Sequence, residues 1–63
     1  MKGKKAFNFR YRPHPDDPVE EHVVHAKNIT IARGMVPLEV IEDLVDINVW
    51  ENGGWKCISK GKR

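Results

Sequence analysis

The first apolar pattern along the chain is a strict alternation. In "AFNFRYR", Phe7, Phe9 and Tyr11 point one way and Asn8, Arg10 and Arg12 the other, which is the period of a half-buried strand with a polar, basic outer face. "PHPDDP" ends it, because three prolines in six residues cannot donate to a β-ladder and fix a turn. The next stretch predicts a helix over 18–28. Asp17 can cap it, Pro18 suits its first position and Glu20 completes a capping box, while Val19, Val23 and Ala26 recur at helical spacing. Residues 28–33, in "NITIARG", read equally as a continuation of that helix or as a β-branched strand. A second helix is predicted over "VPLEVIEDLVD", with Leu38, Ile41, Leu44 and Val45 on one stripe and Glu39, Glu42, Asp43 and Asp46 on the opposite face.

The closing stretch, "INVWENGGWKCISKGKR", reads as a hairpin. Asn52-Gly53 favours a two-residue type I′ turn, where both residues need positive φ; Gly53-Gly54 would shift the register without changing side-chain parity. Ile47, Val49 and Ile58 then share one face, and Trp50, Trp55 and Cys57 the other. With the Asn-Gly turn Trp50 lies opposite Trp55, a pair worth roughly 0.5–1 kcal/mol. Both faces are apolar, and "FNFRY" is the segment left to cover the second one. Left uncovered, the indoles form an exposed aromatic patch of the kind that marks a binding surface. The order strand–helix–helix–β-hairpin predicts a small α+β, winged-helix-like domain whose N-terminal strand pairs with the C-terminal hairpin.

The stretch "VPLEVIEDLVDINVWENGGWKCI" resembles the end of winged helix-turn-helix domains of phage and bacterial replication-associated DNA-binding proteins. In those domains a helix closes on a leucine-valine pair, a short linker leads to a tryptophan, and a Gly-Gly-Trp hairpin forms the wing. The matching residues are Leu44, Val45, Trp50, Gly53, Gly54 and Trp55, so the likeness covers the C-terminal half and not "RYRPHPDDP". It implies DNA binding and transcription regulation. The helix that should enter the major groove, however, carries Glu39, Glu42, Asp43 and Asp46. Base edges and phosphates there call for Arg, Lys, Asn or Gln, and four carboxylates would repel the duplex.

With 63 residues the chain makes one domain, 1–63, with residues 1–4 and 60–63 expected to be flexible basic tails. A domain this small buries only about 60% of its unfolded surface, which leaves little volume for a closed catalytic cleft. The single cysteine, Cys57, excludes an internal disulfide and a four-cysteine zinc site. The net charge of +2 conceals a segregation. Lys2, Lys4, Lys5, Arg10 and Arg12 crowd the N-terminal end, and Lys56, Lys60, Lys62 and Arg63 the C-terminal end, while all nine acids lie between them. Converging ends would make one positive patch for a polyanion. No apolar run approaches the roughly 20 residues that span a bilayer, and the basic N-terminus lacks the apolar stretch of a signal peptide. The expectation is a cytoplasmic protein with no membrane partner.

The chemistry-bearing candidates read more simply as structure. His22 and His25 stand at i, i+3 on the predicted helix with His14 nearby, but a metalloprotease-like site uses i, i+4 with an intervening glutamate, so no metal is assigned. Cys57, on an apolar strand face, is expected to be buried and inert. Ser59 and Thr30 lack a nucleophile elbow, and the glycines have no phosphate-cradling spacing. No enzyme activity and no cofactor are expected.

Two functions remain. The first is a small regulatory protein of the phage or mobile-element type that binds DNA or RNA, holding phosphates through Arg10, Arg12, Lys56, Lys60, Lys62 and Arg63 with little sequence discrimination. Tyr11 or a tryptophan could stack on a base. The second is an adaptor or inhibitor of a larger host protein, such as a polymerase or other nucleic-acid enzyme. It would dock Glu39, Glu42, Asp43 and Asp46 on a basic surface, with Trp50 and Trp55 as hydrophobic anchors.

Overall fold

β1, Lys5–Tyr11, is the centre of the fold. In the computed structural model, which describes residues 3–61, it is flanked by β2 (Glu20–Ala26) and β3 (Leu44–Glu51), and β4 (Gly54–Lys60) adds on outside β3. The sheet order is β2-β1-β3-β4, with every neighbouring pair antiparallel. Between β2 and β3 the chain crosses β1 through two short helices, α1 (Ile29–Met35) and α2 (Leu38–Glu42).

The alternation of β1 sets the two faces. Phe7 and Phe9 lie inward with Val24 and Ala26 of β2 and Ile47 and Val49 of β3, and Ala32 of α1, Val40 of α2 and Val36 between the two helices close this face. Phe9 and Ile47 are the largest fully buried side chains, while Tyr11 packs at the margin of the core. Losing a buried phenylalanine typically costs about 3–5 kcal/mol, against a whole-domain stability of about 0.05–0.15 kcal/mol per residue. A core this small therefore has no large side chain to spare. The helices lean on β2 and β1, so β4 is left without a cover on its inner side and Ile58 is exposed.

Two β-bulges bend the sheet. Val45 is the extra residue opposite Arg10 and Tyr11, and Ile58 is the extra residue opposite Ile47 and Asn48; such insertions increase local twist. The hairpin turn is Asn52-Gly53, with φ of 51° and 81°. It is the type I′ geometry, and it sets Trp50 opposite Trp55. The expected pairing of the N-terminal strand with the terminal hairpin is present as β1 beside β3.

Several expected elements differ. The segment 18–28 is not a helix: Glu20–Ala26 is β2, in register with all of β1. Its Val23-Val24 pair suits a ladder, and the backbone bonds that β1 offers outweigh a helix-start signal. The helix begins instead at Ile29, where Asn28 accepts from the Ile31 N–H at 2.9 Å as N-cap. It runs through Gly34 and stops before Pro37, as the restriction on a residue preceding proline requires. The helix predicted over "VPLEVIEDLVD" is only the five residues Leu38–Glu42. Leu44 onward is strand, because "LVDINVW" pairs with β1 on one side and β4 on the other. Its inward residue is Val40, and Leu38 is 70% exposed. The helix-turn-helix implied by the resemblance is not shown. Lys60, expected in a tail, is the last residue of β4, and the Gly61 N–H donates to the Val45 carbonyl at 2.8 Å.

Candidate functional site

The outer face of the sheet has no covering layer among the described residues, and the chemistry of the chain collects there. Period-two geometry places Val23 and Glu21 of β2, Asn8 and Arg10 of β1, Asn48 and Asp46 of β3, and Trp55, Cys57 and Lys60 of β4 on this side. "FNFRY" does not cover the tryptophans as expected, because β1 lies beside the hairpin in the same sheet. Trp50 and Trp55 are consequently 46% and 47% exposed, with ring centroids 5.3 Å apart and planes at 76°. This edge-to-face arrangement is a favoured aromatic geometry, and it leaves indole surface open to solvent.

A polar network runs beside the pair. Arg10 donates from Nη1 to Asp46 Oδ2 at 3.2 Å, and Asn48 donates from Nδ2 to Asp46 Oδ1 at 2.8 Å. Asn8 donates from Nδ2 to Glu21 Oε1 at 3.1 Å. Asn8 is only 7% exposed, and its Oδ1 has no hydrogen-bond partner. A buried acceptor left unmade is energetically unfavourable and needs an explanation. Asn8, Arg10, Glu21, Asn48 and Trp55 line a groove of about 220 Å³ on this face.

The expected phosphate-binding residues are partly brought together. Arg10 and Lys60 stand on either side of Asp46 in neighbouring strands, and Arg10 is ion-paired with that carboxylate. Arg12 is exposed just beyond β1, where its backbone N–H donates to the Asp43 carbonyl at 3.0 Å. Lys56 is opposite Val49 and belongs to the other face, exposed because β4 lies beyond the helices. Lys62 and Arg63 lie outside the described residues. The expected acidic face is dispersed: Glu39 and Glu42 are on α2, Asp43 is its C-cap residue, and Asp46 is in β3.

Cys57 is exposed, not buried, because nothing covers the tryptophan face. His22 and His25, one helical turn apart in the predicted helix, fall on opposite faces of β2, since an odd spacing switches sides in a strand. No group of three or more His, Cys, Asp or Glu that could hold a metal ion occurs among the described residues. Also among the described residues, no helix is long and apolar enough to cross a membrane.

Asn8, Asn48 and Glu21 are site residues that sequence reasoning passed over. The available signal was Asn8 itself, an amide between two core phenylalanines on the polar side of an alternating strand. Comparison with protein-family models, curated proteins and solved structures finds no match to this chain.

Proposed function

We propose that this protein is a non-enzymatic binder of single-stranded nucleic acid that uses the open sheet face. The observation that carries the reading is the half-exposed Trp50–Trp55 pair on a sheet face that no other element covers among the described residues. Exposed aromatic rings on a sheet stack on unpaired bases, with about 1–3 kcal/mol per base lost on alanine substitution. Base edges meet polar side chains such as Asn48, and Arg12 and Lys60 supply phosphate contacts around the rim. Asp46 and Glu21 on the same face disfavour a mode that relies on backbone charge alone, so base contact is the larger part of the binding. A duplex hides its base faces and would gain little here. This proposal rests on the sheet and needs no helix-turn-helix.

The test is tryptophan fluorescence during titration with mixed-sequence single-stranded and duplex oligonucleotides at several salt concentrations. Quenching by single strands and not by the duplex, weakening as salt rises, is the expected result. Unchanged fluorescence and no complex at low salt would refute it.

A specific observation favours a second reading. Ile31, Met35 and Leu38 are exposed on the helical side, next in sequence to Glu39 and Glu42. A basic protein surface with an apolar centre would suit this patch, and Leu38→Glu combined with Glu42→Lys should then abolish capture of such a partner while leaving oligonucleotide binding intact.

A further inference from the structure

We infer that the protein associates with further copies of itself edge to edge, β4 of one copy pairing antiparallel with β2 of the next. At one level of the outer face the cross-strand neighbours run Glu21 on β2, Arg10 on β1, Asp46 on β3 and Lys60 on β4. Acid and base alternate across the whole sheet, and the row stops at an acid on one edge and a base on the other. Among the described residues β2 and β4 have a neighbouring strand on one side only, and such an edge is a template for another chain. A second copy set beside the first continues the alternation, because its Glu21 meets Lys60. Glu21 accepts from Asn8 through Oε1 and has Oε2 left to accept from that lysine.

The rest of the edge fits in the same register. Neighbouring strands are all antiparallel, so β2 and β4 run in opposite directions and the new ladder is antiparallel as well. Both strands have seven residues. The bulge at Ile58 turns Lys60 to the same face as Cys57 and Trp55. With Glu21 opposite Lys60, Val23 lies opposite Cys57 and His25 opposite Trp55, and Val23, Cys57 and Trp55 are all exposed in the single copy. No like charges meet, since β2 carries acids and no lysine or arginine, and β4 the reverse. The contact joins unlike edges, so it repeats rather than closes. Strand-to-strand twist holds open sheets to about ten strands, which is roughly two or three copies. Every copy turns the same face outward, and the Trp50–Trp55 pairs follow one another along the ribbon about 19 Å apart.

The test needs no nucleic acid, so this inference and the single-strand reading fail separately. In sedimentation velocity the mean mass of the full chain should rise with protein concentration toward roughly two or three copies. Lys60→Glu sets two carboxylates opposite each other, and Glu21→Lys two ammonium groups, so each variant alone should lose association. Mixed in equal amounts, variants whose circular dichroism matches the native chain should regain it, since every contact between unlike variants joins a base to an acid. Independently, Val23→Cys places a thiol opposite Cys57 of the next copy. Diamide takes two electrons and two protons from such a thiol pair as it is reduced to the hydrazine, and should give a disulfide-linked ladder on a non-reducing gel. Within one chain the two positions are three strand spacings apart, about 14 Å, too far to bridge. A native chain that stays a single copy at every concentration overturns the inference, as does a mixture that stays monomeric. So do disulfide dimers formed as readily without the Val23 substitution as with it, which would mean β4 paired with β4.

Discussion

Arg10 on β1 donates to Asp46 on β3 at 3.2 Å, and the same carboxylate takes the amide of Asn48 through its other oxygen at 2.8 Å. The Asp46 side chain is largely buried, with Arg10 above it more open to water. Asp46 thereby cross-links the two central strands and neutralises a cation on the open face.

Replacing Asp46 by Asn should separate these two roles. The uncharged amide weakens the hydrogen bond to Arg10, and the loss in stability is expected near 1 kcal/mol, the scale of one charge-assisted bond in a partly solvated place. Releasing Arg10 should at the same time raise affinity for single-stranded oligonucleotides, and steepen its salt dependence by roughly 0.7 in the log–log slope. Urea unfolding and a salt titration measure the two effects. Weaker binding by the variant would contradict the sheet-face proposal.

The tryptophan pair is expected to couple energetically. Trp50→Ala, Trp55→Ala and the double variant should give an interaction energy of about 0.5–1.5 kcal/mol in a double-mutant cycle. Strict additivity would mean that the observed ring geometry adds nothing beyond each ring's own burial.

Two glycine substitutions should move stability in opposite directions. A Cβ on Gly61 would overlap the carbonyl of Leu44, where backbone on both sides leaves no rotamer to relieve it, and the Gly61 N–H is bonded to Val45. Gly61→Ala should destabilise by about 1–3 kcal/mol. Gly34 lies inside α1 with open space around it, so Gly34→Ala should stabilise by roughly 0.5–1 kcal/mol through helix propensity. Urea midpoints that shift the same way for both would refute the assignment of these environments.

Lys5 and Glu51 form an ion pair at 3.0 Å between β1 and the end of β3. The hydrogen bond from Lys5, then its charge, holds the Glu51 carboxyl below the ordinary glutamate range, with a smaller contribution from Lys56. A depressed carboxylate stabilises the fold above the unfolded-state range, and that contribution disappears as pH falls through the folded value. In an NMR titration the Glu51 midpoint should rise in Lys5→Met and also with added salt, because the pair is open to solvent. A midpoint indifferent to both changes would exclude the pair as the cause.

Local signals in the sequence determined the parts whose geometry closes within a few residues. The alternation of Phe7, Phe9 and Tyr11 specified a strand and its buried side. Asn52-Gly53 specified the turn, and with it the Trp50–Trp55 register, because positive φ at two successive positions admits few residue types. Only the tertiary structure decided the conformation of 20–26 and of 44–46. Both carry helix-compatible spacing, yet both flank β1, and ladder bonds to a strand distant in sequence outweigh propensity differences of a few tenths of a kcal/mol per residue. The candidate site arose the same way. Asn8, Glu21, Arg10 and Trp55 belong to three different strands, so no spacing along the chain brings them together. They meet because the helices cover one face of the sheet and leave the other to water.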